Sequence, residues 1–232
     1  METASFSLLE LFRLGGVVMW PLLFFSIAAM ALSIERIVYL VYHDLRTDDL
    51  ESVFSEYITK GDFSGAVKYF SGLPKKRLGA RVFLALAGQV KPSKVFSERR
   101  AEKAAESEAT ACINSLENGF NFLTALGSLA PLTGFLGTVT GMISAFRAIA
   151  EADEVNAQIV ALGIYEALIT TVFGLIIAII AMVSHSVFSH IVDRFALRIE
   201  GSCSNVITQM AEYAAESAQP ETSKNAERFH EN

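Results

Sequence analysis

The chain has 232 residues, of which 52% are hydrophobic, and 25 acidic against 19 basic side chains give a formal charge of −6. That apolar share and the positive mean hydropathy exclude an ordinary soluble domain. The net charge itself decides little, because charge in such a chain counts by side of a membrane, and no nucleic-acid partner is expected.

The hydrophobic excess collects in three blocks, 17–34, 120–146 and 167–192. The first ends at Glu35-Arg36, and the other two contain no Asp, Glu, Lys or Arg. Each has roughly the 18 residues that a helix needs to cross the hydrocarbon core, whereas core helices of soluble proteins carry shorter runs. The expectation is an all-α membrane protein with three transmembrane helices, long cytoplasmic helical extensions and contact with the lipid bilayer throughout.

In chain order, residues 1–15 form an N-terminal segment in which Leu8, Leu9 and Phe12 alternate with Glu10 and Arg13 on a helical period. A short amphipathic helix on the outer membrane surface suits that pattern. Residues 16–42 are the first span, with Trp20 as an interface anchor and Pro21 near the helix start. The opening Met-Glu supplies no basic n-region, so a retained span is preferred to a cleaved signal peptide. Residues 43–118 read as a cytoplasmic helical region. Asp48-Asp49 start a helix there, Gly61-Asp62 break it, and Pro74 and Pro92 mark turns. The Lys75-Lys76-Arg77 cluster reads as a solvated basic turn, with contact to anionic headgroups as the alternative. The charged, Ala-rich stretch 97–117 favours helix and is expected to run straight into the second span, 119–147. A short acidic outer loop, 148–156, carries Glu151, Asp153 and Glu154. The third span, 157–192, continues as a helical extension over 193–214, and the polar tail 215–232 is expected to be disordered.

Arg36, Arg46, Arg100, Lys103, Arg194 and Arg198 flank one side of the spans, and only Arg13 and Arg147 the other. The positive-inside rule therefore predicts a cytoplasmic 43–118 region and C-terminus, and a periplasmic N-terminus. Cys112 and Cys203 both fall on the cytoplasmic side, where packing is expected rather than a disulfide.

The chemistry lies in the second and third spans. Gly127, Pro131, Gly134, Thr138, Gly141 and Ala145 recur at steps of three or four and build one small-residue face. Thr133, Thr140 and Ser144 share the neighbouring stripe with Gly137. The third span repeats the device with Gly163, Ala167, Thr170, Gly174, Ala178 and Ala181, flanked by Glu166 and Thr171. Small faces let membrane helices approach closely and call for helical neighbours, expected to be other copies in a closed ring. Hydroxyls on such a face add a second possibility, a narrow polar pore without fixed charge. Packing alone and packing with a pore both remain open on this pattern.

Glu166 is the sharpest single residue. Nine residues beyond Ala157, it lies about 13 Å along the third helix, where a carboxylate is costly and faces protein or water. An ion path and a structural hydrogen bond are the two explanations. His185 and His190 are five residues apart and so lie on different helical faces. No metal, cofactor, nucleotide loop or nucleophile–base pair is indicated, and no enzyme activity is expected.

The sequence Ala130-Pro-Leu-Thr-Gly-Phe-Leu-Gly-Thr-Val-Thr-Gly-Met142 resembles the second-span motif of the MotA/TolQ/ExbB proton-channel family. Gly163-Ile-Tyr-Glu-Ala-Leu-Ile-Thr-Thr-Val-Phe-Gly-Leu175 resembles its third-span motif, and 16–36 is similar to the first span of ExbB-like members. The chain departs from the family at Ile180, where Pro is frequent, and at His185-Ser186, where a Tyr-Asn pair is. The resemblance implies a five-fold ring of three-span subunits in a bacterial inner membrane. Its pore holds the single helices of an ExbD-like or TolR-like partner, which carries the ion-bearing aspartate, and a TonB-like protein is a further candidate partner. It places Thr138 and Thr171 on the pore lining and matches Glu166 to the family's third-span glutamate. Thr133, Gly134, Thr140, Gly141, Ser144, Thr170 and Gly174 are secondary pore or packing positions. Proton flow would energise a periplasmic or outer-membrane process. A TolQ-like role in envelope integrity, a non-conducting scaffold and Na⁺ in place of H⁺ are the alternatives.

Overall fold

A computed structural model describes residues 12–89, 96–151 and 157–218. Its helices are α1 (Met19–Tyr42), α2 (Asp48–Lys60), α3 (Phe63–Gly72), α4 (Leu78–Ala87), α5 (Glu98–Glu117), α6 (Phe120–Glu151) and α7 (Ala157–Ala218). Three helical regions, carried by α1, α6 and α7, are long and apolar enough to cross a membrane. Among the described residues all regular structure is helical, apart from an isolated bridge between Asp44 and Arg77. The expected outer-surface helix falls mostly outside the described residues, as do Pro92, Asp153, Glu154 and the tail beyond 218. α7 continues past Ala215 to Ala218, carried by alanines at 214, 215 and 218 with the highest helix propensity.

The chain divides into two compact units: Met1–Val38 with Gly119–Ser189, and Tyr39–Asn118 with His190–Asn232. In the first, Met19, Leu22, Ala29, Leu126, Ala130, Ile169, Ile177 and Ala181 form a small core. Large side chains such as Phe24, Leu132, Phe135, Ile143 and Ile179 stay exposed around it. An outer surface made of large apolar side chains inverts that of a water-soluble bundle. It is what a lipid-facing surface allows, since outward leucines lose nothing in hydrocarbon. Pro21 is the third residue of α1, where its missing N–H is one that no helical partner would have satisfied. Phe12 packs edge-on against Trp20 at 5.4 Å.

The expected unbroken helix from 97 into the second span is corrected by the structure. α5 stops at Glu117, Asn118 leaves the helix at φ −54 and ψ 129, and Gly119 completes the turn at φ +87 before α6 begins. A side-chain-bearing residue is strained there, and Asn-Gly is a turn signal that the Ala-rich run upstream obscured. Arg36 comes to lie against Gly119, its Nε 3.6 Å from where a Cβ would stand. Although it follows the first apolar block, Arg36 is only 6% exposed. It donates to the Glu35 carboxylate through Nε at 2.5 Å and Nη2 at 2.7 Å.

The second unit has a conventional core. Phe54, Phe70 and Phe83 from α2, α3 and α4 pack with ring centroids 5.5 to 5.9 Å apart. Each such buried ring contributes about 1.5–3 kcal/mol. Val192, Phe195, Ile199, Val206 and Met210 recur at helical spacing as the buried stripe of α7. Gly61 closes α2 at φ +68, and the Asp62 carboxylate then caps α3 by accepting from Gly65 N at 2.8 Å. Glu51 accepts from Ser202 Oγ at 2.6 Å and from Asn205 Nδ2 at 2.9 Å, tying α2 to α7. Arg77 binds Asp44 at 3.0 Å and also pairs with Asp49. Cys112 and Cys203 are free and buried.

Candidate functional site

Six of the predicted residues, Gly134, Thr138, Gly141, Thr170, Thr171 and Gly174, meet at the seam between α6 and α7 of the first unit. The small faces of the two helices meet each other. A Cβ on Gly134 would stand 2.7 Å from Thr170 O, one on Gly174 would stand 2.5 Å from Ala130 O, and one on Gly141 would stand 3.1 Å from Ala167 Cβ. The obstructing atoms are mostly backbone, so only glycine permits this approach. The small faces were expected to need helical neighbours, and within one chain the second and third spans supply them to each other. Periodicity identifies a small face but does not name the helix that covers it.

Three threonines hold the middle of the seam. Thr138 and Thr171, from opposite helices, bond hydroxyl to hydroxyl. Thr138 Oγ1 also lies 3.1 Å from Ala167 O, and Thr171 Oγ1 lies 3.2 Å from Gly134 O. Thr170 is buried and donates within the same carbonyl pair, 2.8 Å from Ala167 O and 3.2 Å from Gly134 O. Gly137, which the sequence pattern put on the neighbouring stripe, is buried where the Thr170 side chain seats against it. Its signal was the Gly134, Gly137, Gly141 spacing, which continues the small face as well as Thr138 does. Thr138 and Thr171 are each half-buried, and their hydroxyls are braced by the Ala167 and Gly134 carbonyls.

Other predicted residues sit elsewhere. Thr140 and Ser144 lie on the exposed face of α6, and Thr140 bonds back to Leu136 O at 3.0 Å and Gly137 O at 3.1 Å. Thr133 is half-buried. Glu166 is half-buried and its carboxylate fills the space beside Gly16, which takes φ +66 ahead of α1. The macrodipole favours negative charge at that end of a helix. Glu166 and Thr171 are five residues apart and face different sides of α7. Of the two histidines, His185 packs edge-on against Phe120 at 5.7 Å. The seam offers hydroxyl donors and acceptors in an apolar surrounding, with no fixed charge. That chemistry suits water or an exchanging proton rather than bond cleavage.

Comparison with known proteins bears directly on this region. Residues 77–201, more than half of the chain, match the MotA/TolQ/ExbB proton channel family. The biopolymer transport protein ExbB of Pseudomonas putida is 34% identical over 93 residues, covering 40% of this chain and 28% of that protein. The Tol-Pal system protein TolQ of Haemophilus influenzae is 41% identical over 87 residues, covering 38% of this chain and 35% of that one. The chain thus spans well under half the length of these two relatives. The putative biopolymer transport protein ExbB-like 3 of Synechocystis is 34% identical over 191 residues, 79% of this chain and 86% of that protein. A match through both helices of the seam, joined to a relative aligned over most of its own length, is decisive: this chain belongs to the MotA/TolQ/ExbB proton channel family.

Proposed function

We propose that the chain is the channel-forming subunit of an ExbB-like proton-driven motor. It works with an ExbD-like single-span partner to energise a periplasmic or outer-membrane process such as TonB-dependent transport. The observation that carries this reading is the Thr138–Thr171 hydroxyl pair, bonded across the seam by two half-buried residues. In the proposed assembly five copies close a ring in the bacterial inner membrane, with the N-terminus periplasmic and the C-terminus cytoplasmic. In that ring the pair lines the pore, where the hydroxyls hold water or bond the partner's carboxyl as it gains and loses a proton. Glu166 is the proposed ionisable member of the path within this chain. One charge crossing 100 mV supplies about 2.3 kcal/mol, so mechanical work needs several protons per cycle. A TolQ-like role in envelope integrity is the second reading, favoured by the 41% identity to a TolQ protein. TonB-like or Pal-like neighbouring genes separate the two.

The test is proton flux through liposomes carrying the chain with its partner. Valine keeps the branched shape of threonine, so Thr138→Val with Thr171→Val removes the hydroxyls and little else. Assembly and partner binding should persist while flux falls about tenfold or more, since both hydroxyl hydrogen-bond partners are lost. Wild-type flux in the double variant removes the threonines from the path. Absence of flux in the unmodified complex leaves the non-conducting scaffold.

A further inference from the structure

Immediately after α1 the second unit contains a cleft of about 530 Å³, lined by Tyr42, His43, Arg46, Lys76 and Arg198, with Asp44 also on its wall. We propose that this cleft binds the phosphate of an anionic phospholipid, whose acyl chains lie along the last turn of α1. The inference rests on α1 spanning the membrane and is independent of the channel reading.

The three cations come from three segments: the loop after α1, the turn at Pro74–Arg77 and the extension of α7. None of Arg46, Lys76 or Arg198 has a carboxylate in ion-pair range among the described residues. Asp44, the acid of the cleft, is already engaged by Arg77 at 3.0 Å. The lining therefore carries an excess of two positive charges. The C-terminus of α1 opposes an anion with only about half a charge. Two guanidinium forks and an ammonium match the oxygens of a phosphodiester. His43 forms a wall, its Nδ1 at 2.9 Å from Tyr39 O and its ring 4.2 Å from that of Tyr39.

Position selects lipid over free phosphate. The cleft opens at the end of a membrane-spanning helix, beside Val41 and Tyr42, which are 82% and 67% exposed. A headgroup in the cleft puts its chains on that apolar surface, whereas inorganic phosphate leaves it uncovered. The Lys75-Lys76-Arg77 cluster thus divides: Arg77 turns to Asp44 and Asp49, and Lys76 lines the cleft.

The experiment is native mass spectrometry of the full chain in neutral detergent, titrated with phosphatidylglycerol or phosphatidylcholine. Unmodified protein should retain phosphatidylglycerol preferentially, and millimolar inorganic phosphate should not displace it. Each cation near a surface is worth roughly fivefold in affinity. Arg46→Gln with Lys76→Gln and Arg198→Gln should therefore weaken phosphatidylglycerol binding at least about tenfold and leave phosphatidylcholine unchanged. All three side chains are exposed, so the fold should survive. Lys76→Gln alone, about fivefold weaker, gives the readout if the triple variant misfolds. Lys68→Gln, an exposed lysine outside the cleft, should change nothing. Unchanged phosphatidylglycerol affinity in the triple variant, or an equal loss in Lys68→Gln, overturns the site. Displacement by phosphate overturns the lipid assignment.

Discussion

Replacing Gly174 by Ala tests whether the α6–α7 seam depends on backbone contact. The new Cβ would stand 2.5 Å from Ala130 O, 3.2 Å from Gly134 Cα and 3.3 Å from the Ala130 carbonyl carbon. No rotamer relieves these contacts, because every atom is main chain of α6. Restoring ordinary separations near 3.5 Å moves the helices apart by about 1 Å. That shift also lengthens the 3.2 Å bonds from Thr170 and Thr171 to Gly134 O. Overpacking of this kind costs about 1–3 kcal/mol, against a gain of up to about 1 kcal/mol from the better helix former. A net loss of about 1–2 kcal/mol is expected. Gly201→Ala is the control: nothing lies within 4 Å of its Cβ position, so only the gain of about 0.5–1 kcal/mol remains. Reversible titration of the detergent-solubilised protein with dodecyl sulfate, followed by far-ultraviolet circular dichroism, reads both. The two alanines should move the midpoint in opposite directions. A Gly174→Ala midpoint at or above wild type refutes backbone contact at the seam.

Glu166→Gln keeps shape and hydrogen bonding but cannot titrate, so coupled proton flux should vanish while the complex assembles; full activity marks a structural role. Gly16→Ala sets a methyl against the Glu166 carboxylate and strains a backbone at φ +66. Part of its cost should disappear in a Glu166→Ala background, a coupling of about 0.5 kcal/mol or more in a double-mutant cycle. The hydrogen bond from Arg77 holds the Asp49 carboxyl below the usual carboxylate range. Such a group stabilises the fold above its unfolded pKa, near 4, and loses that contribution as pH falls through the folded value. The stability gap between wild type and Asp49→Asn should therefore close on acidification. It should stay under about 1 kcal/mol, since the side chain is 56% exposed. Burial pushes the Cys112 thiol up and the Cys203 thiol up to about 12. Ellman's reagent at about pH 8 should label neither until the protein unfolds.

The helical class, the three apolar helices and the small-residue faces of the second and third can be read from the residues in order. Composition and a 3.6-residue period report such features directly. Gly134, Thr138, Gly141, Gly174 and Thr170 were legible for that reason, and the pore role of Thr138 and Thr171 through family resemblance. The period assigned a face to each residue but not a partner to each face. It takes the folded chain to show that the two small faces close on each other, seating Thr170 on Gly137 and leaving Thr140 and Ser144 outside. The same fold turns Glu166 to Gly16 and buries Arg36 beside Gly119. These pairings join residues far apart in the chain. They depend on how closely backbones approach, a quantity set by both surfaces at once and written in neither segment alone.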